Sequence, residues 1–324
     1  MNTTHPDHYE LAVVGEGMAG LICAARAAEL GLSVATFEQN IYGGLAVNIA
    51  RLLDFGDGQS GIDVGTALTE SNAANGVVSV AASVSAIEPD RERFRVVTNT
   101  GRYTASSVVL ATGARLRKLG VPGEERLEGH GVSQCADCDG PLFAGERVVV
   151  VGAGDAAFMQ AIVLAGVASE VRILMRGDAA RARTELLDQA ALLPVISISP
   201  RTRVLEICGD ERVQSVRVAA AGTEQKLECA GVFVYVGLEA NSTLAGPDVR
   251  RISDLRIETD EMFCTSHKGI YAIGAVRAGY SGRLADAENE ARIAAEHIAD
   301  VHATTIAIAR KSNTAGGVAG LQTR

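Results

Sequence analysis

The sequence predicts an α/β chain built on two Rossmann-like nucleotide-binding units, and three observations carry that expectation. The segments LAVVGEGMAG (11–20) and VVVVGAGDAA (148–157) each join a β-branched run to a glycine turn and a helix-compatible stretch. They repeat at an offset of 137 residues, from Gly15 to Gly152. Two more β-branched runs, SSVVLATGA (106–114) and GIYAIGAV (269–276), end in small-residue turns. A buried parallel strand that feeds a glycine turn and then a helix is the sequence form of a βαβ nucleotide-binding unit.

The elements follow in order. After the first unit come a turn-rich stretch (40–63), a helix near 63–75, alternating strands to about 98 and the buried strand at 106–114. The second unit continues through VRILMR (171–176), strands near 203–207 and 213–219, and GVFVYVG (231–237). GIYAIGAV then leads into an Ala-rich helix over about 284–301, and residues 303–324 read as a flexible tail.

Composition agrees. With 324 residues and 47% hydrophobic content, the chain can bury cores for two domains. Thirty-five glycines against seven prolines suit tight backbone approaches to a nucleotide. A net charge of −9 offers no basic footprint for nucleic acid, which leaves small molecules or another protein as partners. The opening MNTTHPDHYE lacks the apolar core of a signal peptide, and no apolar run is long enough to span a membrane. Cys23, Cys208, Cys229 and Cys264 are scattered, as in a chain kept in a reducing cytoplasm, whereas Cys135 and Cys138 form a CxxC.

In the first unit Gly15, Gly17 and Gly20 satisfy GxGxxG, with Met18 and Ala19 opening the helix. The backbone must approach a pyrophosphate at that helix N-terminus. The next strand ends at Glu38, 23 residues after Gly15, where an acid accepts hydrogen bonds from a ribose diol. Gly43, Gly44 and the turn Ala111-Thr112-Gly113 favour a longer ligand such as FAD. In the second unit Gly152, Gly154 and Ala157 give the GxGxxA form, enclosing Asp155 and Ala156. Here the residue 23 positions on is Met175, followed by Arg176, with Arg181 and Arg183 nearby. A carboxylate would repel a 2′-phosphate and an arginine grips one, so NADPH is favoured and NADH is the alternative.

CADCDG (135–140) lies between the two fingerprints, on a turn that opens a helix. A CxxC brings two sulfurs within disulfide reach and lowers the attacking thiol's pKa. Zinc would need two more ligands, and no second CxxC or HxxxH is present, so no metal is expected. Asp139 can shuttle a proton to a leaving thiolate or serve as a helix cap. A flavin, a nicotinamide and a dithiol in one chain imply hydride transfer followed by electron-pair exchange with a disulfide. A domain rotation would alternate the nicotinamide and the dithiol at the flavin.

On GEGMAG, Gly43-Gly44, ATG at 111–113, CADCDG, GAGDAA, and GIYAIGAV followed by Arg283 and the Ala-rich helix, the chain resembles the low-molecular-weight thioredoxin reductases. These are the class II pyridine nucleotide-disulfide oxidoreductases, and the resemblance covers roughly residues 8–302. It implies an FAD domain from 1–117 and 246–324, an NADPH domain over 118–245 inserted in it and carrying the CxxC, and a homodimer. It also implies that Cys138 faces the flavin, Cys135 attacks the substrate disulfide and Asp139 is the general acid. To the FAD contacts it adds Gln39, Leu45, Asn48, Asp54, Val84, Gly274, Ala275, Leu284 and Ala285. The implied substrate is a thioredoxin-like protein or a small-molecule disulfide.

The departures cluster near the flavin and the substrate face. Ala275 stands where the family carries Asp, removing an expected hydrogen bond to the ribityl chain. Leu45 and Leu284 stand where glutamines are usual, Met175-Arg176-Gly177 replaces HRR, and His130 replaces a docking arginine. Among other readings, a flavin-dependent dithiol oxidase is opposed by the retained GAGDAA, and a non-catalytic redox sensor by the CxxC with its following Asp. Lipoamide-dehydrogenase-type enzymes place the dithiol early and add a C-terminal domain. Ferredoxin-NADP reductases of similar outline lack the CxxC.

Overall fold

The computed structural model describes residues 8–49, 51–52 and 58–316. The chain folds as two compact units, Met1–Ala114 with Ala240–Arg324, and Arg115–Glu239.

In the first unit the strand His8–Val14 pairs in parallel with Val34–Glu38 on one side and Arg102–Leu110 on the other. Val78–Ala81 extends the sheet beyond Val34–Glu38, and Ile270–Ala272 extends it beyond Arg102–Leu110, both in parallel. The central strand Leu11–Val14 is buried on both faces, which explains its unbroken apolar run. The hairpin Val84–Asp90/Arg93–Thr98 pairs antiparallel with the first half of Arg102–Leu110.

Helix Met18–Glu29 and the long helix Leu284–Gly316 share one core on this sheet. Ala287, Ala291, Ala294, Ala295 and Ile298 recur at helical spacing and meet Ala19, Ile22, Cys23 and Ala27. Small residues on both helices permit the close approach, and a buried Ile such as Ile298 contributes about 1.5–3 kcal/mol.

The second unit holds a parallel sheet in the order Ile196–Ser199, Glu170–Leu174, Arg147–Val151, Gly231–Val234, Val132–Ser133. An antiparallel sheet of Thr202–Cys208, Ser215–Ala220 and Thr223–Glu228 adds to it. The last strand, TEQKLE, is polar and almost fully exposed, so no hydrophobic alternation announced it.

Two boundaries differ from the sequence reading. The chain changes unit at 114/115 and 239/240, three and six residues ahead of the sequence boundaries at 117/118 and 245/246. Asn241 explains the later one: its N–H donates to Gly113 O at 3.1 Å and its Nδ2 to Thr112 O at 3.0 Å, which ties it to the first unit. Of the tail expected over 303–324, the part up to Gly316 belongs to the last helix. Residues 303–315 are rich in helix formers and contain no Pro or Gly, so nothing in them stops the helix. Residues 317–324 lie outside the described residues.

Candidate active site

The first glycine turn is built by close packing. Gly15 has φ +104°, and a Cβ on it would lie 2.4 Å from Ala111 O. A Cβ on Gly20 would lie 2.0 Å from Gly15 O, so helix Met18–Glu29 presses directly on the turn. Around Gly17, by contrast, a Cβ would meet nothing within 4 Å. That open face at the helix N-terminus presents free backbone N–H groups, and it fits a pyrophosphate.

Gly43 N–H donates to Glu16 O at 2.6 Å, and Gly44 packs against the Gly17 Cα. Gly274 reaches the Ala19 side chain, which brings the turn Gly274–Val276, including Ala275, to the same helix end. Glu38 Oε1 accepts the N–H groups of Gln39 and Asn40 at 2.9 and 3.0 Å, and Oε2 accepts that of Glu16 at 3.2 Å. Glu38 is thus fixed to the turn, where an acid fits the ribose diol of an adenine dinucleotide.

Other sequence candidates lie farther along these elements. Thr112 donates through Oγ1 to Asn241 O at 2.7 Å, fixing the turn that also holds Ala111 and Gly113. Leu45 and Asn48 lie exposed on the short helix Gly44–Asn48, and Val84 starts a strand. Arg283, Leu284 and Ala285 open the long helix, with Leu284 packed on the cluster of Met18, Ala46, Leu52 and Val64. Asp54 lies outside the described residues.

The second turn repeats the packing with different partners. A Cβ on Gly152 would lie 2.4 Å from Tyr235 O and 2.8 Å from the Ala157 side chain, while Gly154 faces open space. Asp155 and Ala156 begin helix Asp155–Ala165. Asp155 accepts Arg183 N–H at Oδ1 and pairs with Arg183 Nε at Oδ2, both at 2.8 Å. Arg183 is therefore engaged by the turn itself, whereas Arg176 and Arg181 are exposed. Met175 is buried at 3% exposure and presents nothing to a ligand.

Cys135 and Cys138 are joined in a disulfide with Cα atoms 5.3 Å apart. Cys135 caps the helix Ala136–Asp139, its sulfur accepting the Cys138 N–H. Cys138 is exposed and Cys135 half-buried. Ser133 links the pair to the acid: its Oγ accepts Cys135 N–H at 3.0 Å and donates to Asp139 Oδ2 at 2.6 Å. Burial pushes the Cys23 and Cys229 thiols up to about 12 and Cys264 up to about 11, so these stay protonated near neutral pH. His130 is exposed in the loop ahead of the pair, its Nδ1 3.2 Å from Glu128 O.

Sequence reasoning missed the groups that support these turns. Glu16, at 4% exposure, accepts the hydroxyls of Thr36 and Ser79 at 2.5 and 2.6 Å through Oε1. An acid inside a glycine fingerprint was the available signal. Glu290, also buried, accepts Gly274 N–H at 2.7 Å and pairs with Arg277 at 2.5 Å, so a carboxylate from the long helix meets the turn where Ala275 supplies none. Gln160 and Tyr235 had no local signal, since their partners are set by the fold, whereas Ser133 bonds within its own turn, two and six residues on.

Residues 9–297 match the family model described as pyridine nucleotide-disulphide oxidoreductase. The chain is 34% identical over 292 residues to a thioredoxin reductase of Treponema pallidum (strain Nichols), covering 89% of this chain and 95% of that one. It is 32% identical over 298 residues to one from Listeria innocua, covering 89% and 92%. Among solved structures, Lactococcus lactis thioredoxin reductase superposes with a TM-score of 0.87 at 28% identity, covering 90% of this chain and 97% of that one. The T. acidophilum thioredoxin reductase gives 0.86 at 29% identity, covering 92% and 99%. The chain belongs to the pyridine nucleotide-disulphide oxidoreductase family, as an FAD-dependent disulfide oxidoreductase of the NADPH-using, thioredoxin reductase-like kind.

Proposed function

We propose that this enzyme passes electrons from NADPH to the disulfide of a thioredoxin-like protein or a small molecule, with Cys135 and Cys138 as the exchanging pair. The observation that carries the reading is the Cys135–Cys138 disulfide on a capped turn, with Asp139 held through Ser133 to the same peptide. When bound, FAD accepts a hydride from NADPH and delivers the electron pair to this disulfide.

In the reduced pair, Cys135 as thiolate attacks one sulfur of the substrate disulfide, and the other sulfur leaves with a proton from Asp139. Cys138 then displaces the second substrate sulfur, re-forming the Cys135–Cys138 bond. The turn of Gly15, Gly17 and Gly20 would hold the adenine dinucleotide of FAD, with Glu38 accepting from its ribose. NADPH takes the turn of Gly152 and Gly154, with Arg176 and Arg181 on its 2′-phosphate. The same reading makes the enzyme a cytoplasmic homodimer.

Anaerobic titration of the purified holoenzyme with NADPH, followed by addition of thioredoxin or a small aromatic disulfide, tests the proposal. Cys135→Ser and Cys138→Ser are each expected to abolish disulfide turnover while flavin reduction continues, since the hydride step needs no sulfur. Disulfide turnover that survives loss of both cysteines would falsify it.

A further inference from the structure

The dithiol turn is held from below as well as by its own cap. Ala136, between the two cysteines, is buried, and its N–H belongs to the first turn of a helix, where no intrahelical acceptor exists. A buried N–H requires a partner. It donates to Gln160 Oε1 at 2.7 Å. The same oxygen accepts the Tyr235 hydroxyl at 3.1 Å, and Gln160 Nε2 donates to Asp137 Oδ2 at 3.4 Å. Gln160 is 9% exposed and Tyr235 8%, so these bonds form away from bulk water. Burial pushes the Tyr235 phenol well above its ordinary value, so the hydroxyl keeps its proton and donates.

Neither partner is local to the CxxC. Gln160 sits on helix Asp155–Ala165, which starts at the second glycine turn, and Tyr235 O is the atom that a Cβ on Gly152 would strike. The elements that form that turn therefore also supply the support beneath the two cysteines. The hydrogen bonds of Gln160 go to the peptide and the carboxylate between the sulfurs rather than to either sulfur.

We infer that Gln160, seated by Tyr235, is a positioning residue for the dithiol: it fixes the Ala136-Asp137 peptide so that Cys135 and Cys138 keep the geometry for exchange. The inference rests on reading this pair as the redox centre.

The test compares holoenzymes of wild type, Gln160→Ala, Gln160→Glu and Tyr235→Phe in the two half-reactions, flavin reduction by NADPH and turnover of a small aromatic disulfide across pH. Gln160→Ala is expected to lower kcat for the disulfide by about 10–100-fold relative to flavin reduction, because a buried N–H loses its acceptor. Gln160→Glu restores an oxygen for the Ala136 N–H and the Tyr235 hydroxyl but turns the Nε2 donor to Asp137 into a carboxylate oxygen facing it, so kcat is expected to recover only in part, to between Gln160→Ala and wild type. Its added negative charge opposes thiolate formation, so the rising limb of its pH profile moves to higher pH. Tyr235→Phe removes one hydroxyl and is expected to cost about three-fold, which keeps the test available if Gln160→Ala fails to fold.

An unchanged ratio of half-reactions in Gln160→Ala and Tyr235→Phe overturns the positioning role. Wild-type enzyme that reduces no disulfide, or a Cys135→Ser enzyme that still does, overturns the reading of the pair instead.

Discussion

The two glycine turns use the same backbone device and differ in where the charge is placed. In the first, the acid inside the turn, Glu16, is buried against Thr36 and Ser79, and a second acid, Glu38, stands at the end of the following strand and reaches back to the Glu16 N–H. In the second, the acid lies in the turn itself, and Asp155 is neutralised by Arg183. The strand that follows ends in Leu174 and buried Met175, after which Arg176 is exposed. On the proposed reading, the glycines set the approach of a dinucleotide, while the residues after the second strand select which one. A turn presenting a carboxylate suits a free ribose diol, and one presenting unpaired arginines suits a 2′-phosphate.

The largest expected effect breaks one turn and spares the other. Gly15→Ala forces a Cβ to 2.4 Å from Ala111 O at φ +104°, a conflict worth about 3 kcal/mol or more. It should yield colourless, destabilised protein, read by flavin absorbance and thermal melting. Gly152→Ala meets Tyr235 O at the same 2.4 Å. Its protein should stay yellow and lose NADPH reduction of the flavin. Equal flavin loss in both variants would show that the turns do not act on separate nucleotides.

A smaller change exchanges the chemistry and leaves the backbone intact. Arg176→Ala should lower kcat/KM for NADPH about ten-fold, the loss of one charge-assisted hydrogen bond, and barely change it for NADH. Glu38→Gln should weaken FAD by about ten-fold, measured by flavin fluorescence on dilution, without altering the NADPH to NADH ratio. A changed ratio in Glu38→Gln would break the assignment of one selector to each turn.

Ala275→Asp should act in the same unit with less effect, tightening FAD by under about ten-fold. Glu290 already places a carboxylate on Gly274 N–H, so a second one nearby gains less than the sequence departure suggests. Weaker FAD in Ala275→Asp would mean that repulsion between the two acids wins.

These contrasts also separate what the sequence made legible from what it did not. Gly15, Gly20, Glu38 and Gly152 were readable because each stands at a fixed spacing within one βαβ unit, although Gly15 and Gly152 press on Ala111 and Tyr235, far along the chain. The CxxC was readable because both sulfurs come from one turn. Gln160, Tyr235 and Glu290 act through contacts 13 to 75 residues away, which no local pattern encodes. Arg183 misled for a related reason: its spacing from Arg176 suggested a phosphate, and only the fold places it against Asp155. The strand Thr223–Glu228 was hidden because an exposed edge strand needs no apolar face.

The smallest effect concerns acid, and it too should fall on one unit. Five of the six histidines lie in the first unit, and the second has only exposed His130. His8 sits between Thr104 and Ser106, at 3.2 and 3.1 Å, and His302 is 3.1 Å from Ser107 Oγ. Both are held below the ordinary histidine value by burial, with Arg93 and His302 adding to the effect at His8 and Glu10 opposing it at both. The folded state therefore favours neutral imidazole. Its contribution is fully present above the unfolded value near 6.5 and is lost as pH falls through the lower folded values. His8→Gln combined with His302→Gln keeps polar side chains at both positions without a titrating ring. Between about pH 7.5 and pH 5.5 the wild-type melting temperature should fall further than that of the double variant, by roughly 1–2 °C. Hydrogen exchange, corrected for intrinsic rates, should place the difference on strand His8–Val14 and the end of the long helix and leave Arg147–Val151 unchanged. Equal losses in the two proteins would mean that acid acts elsewhere, and protection lost first in the second unit would place the acid-sensitive groups there instead.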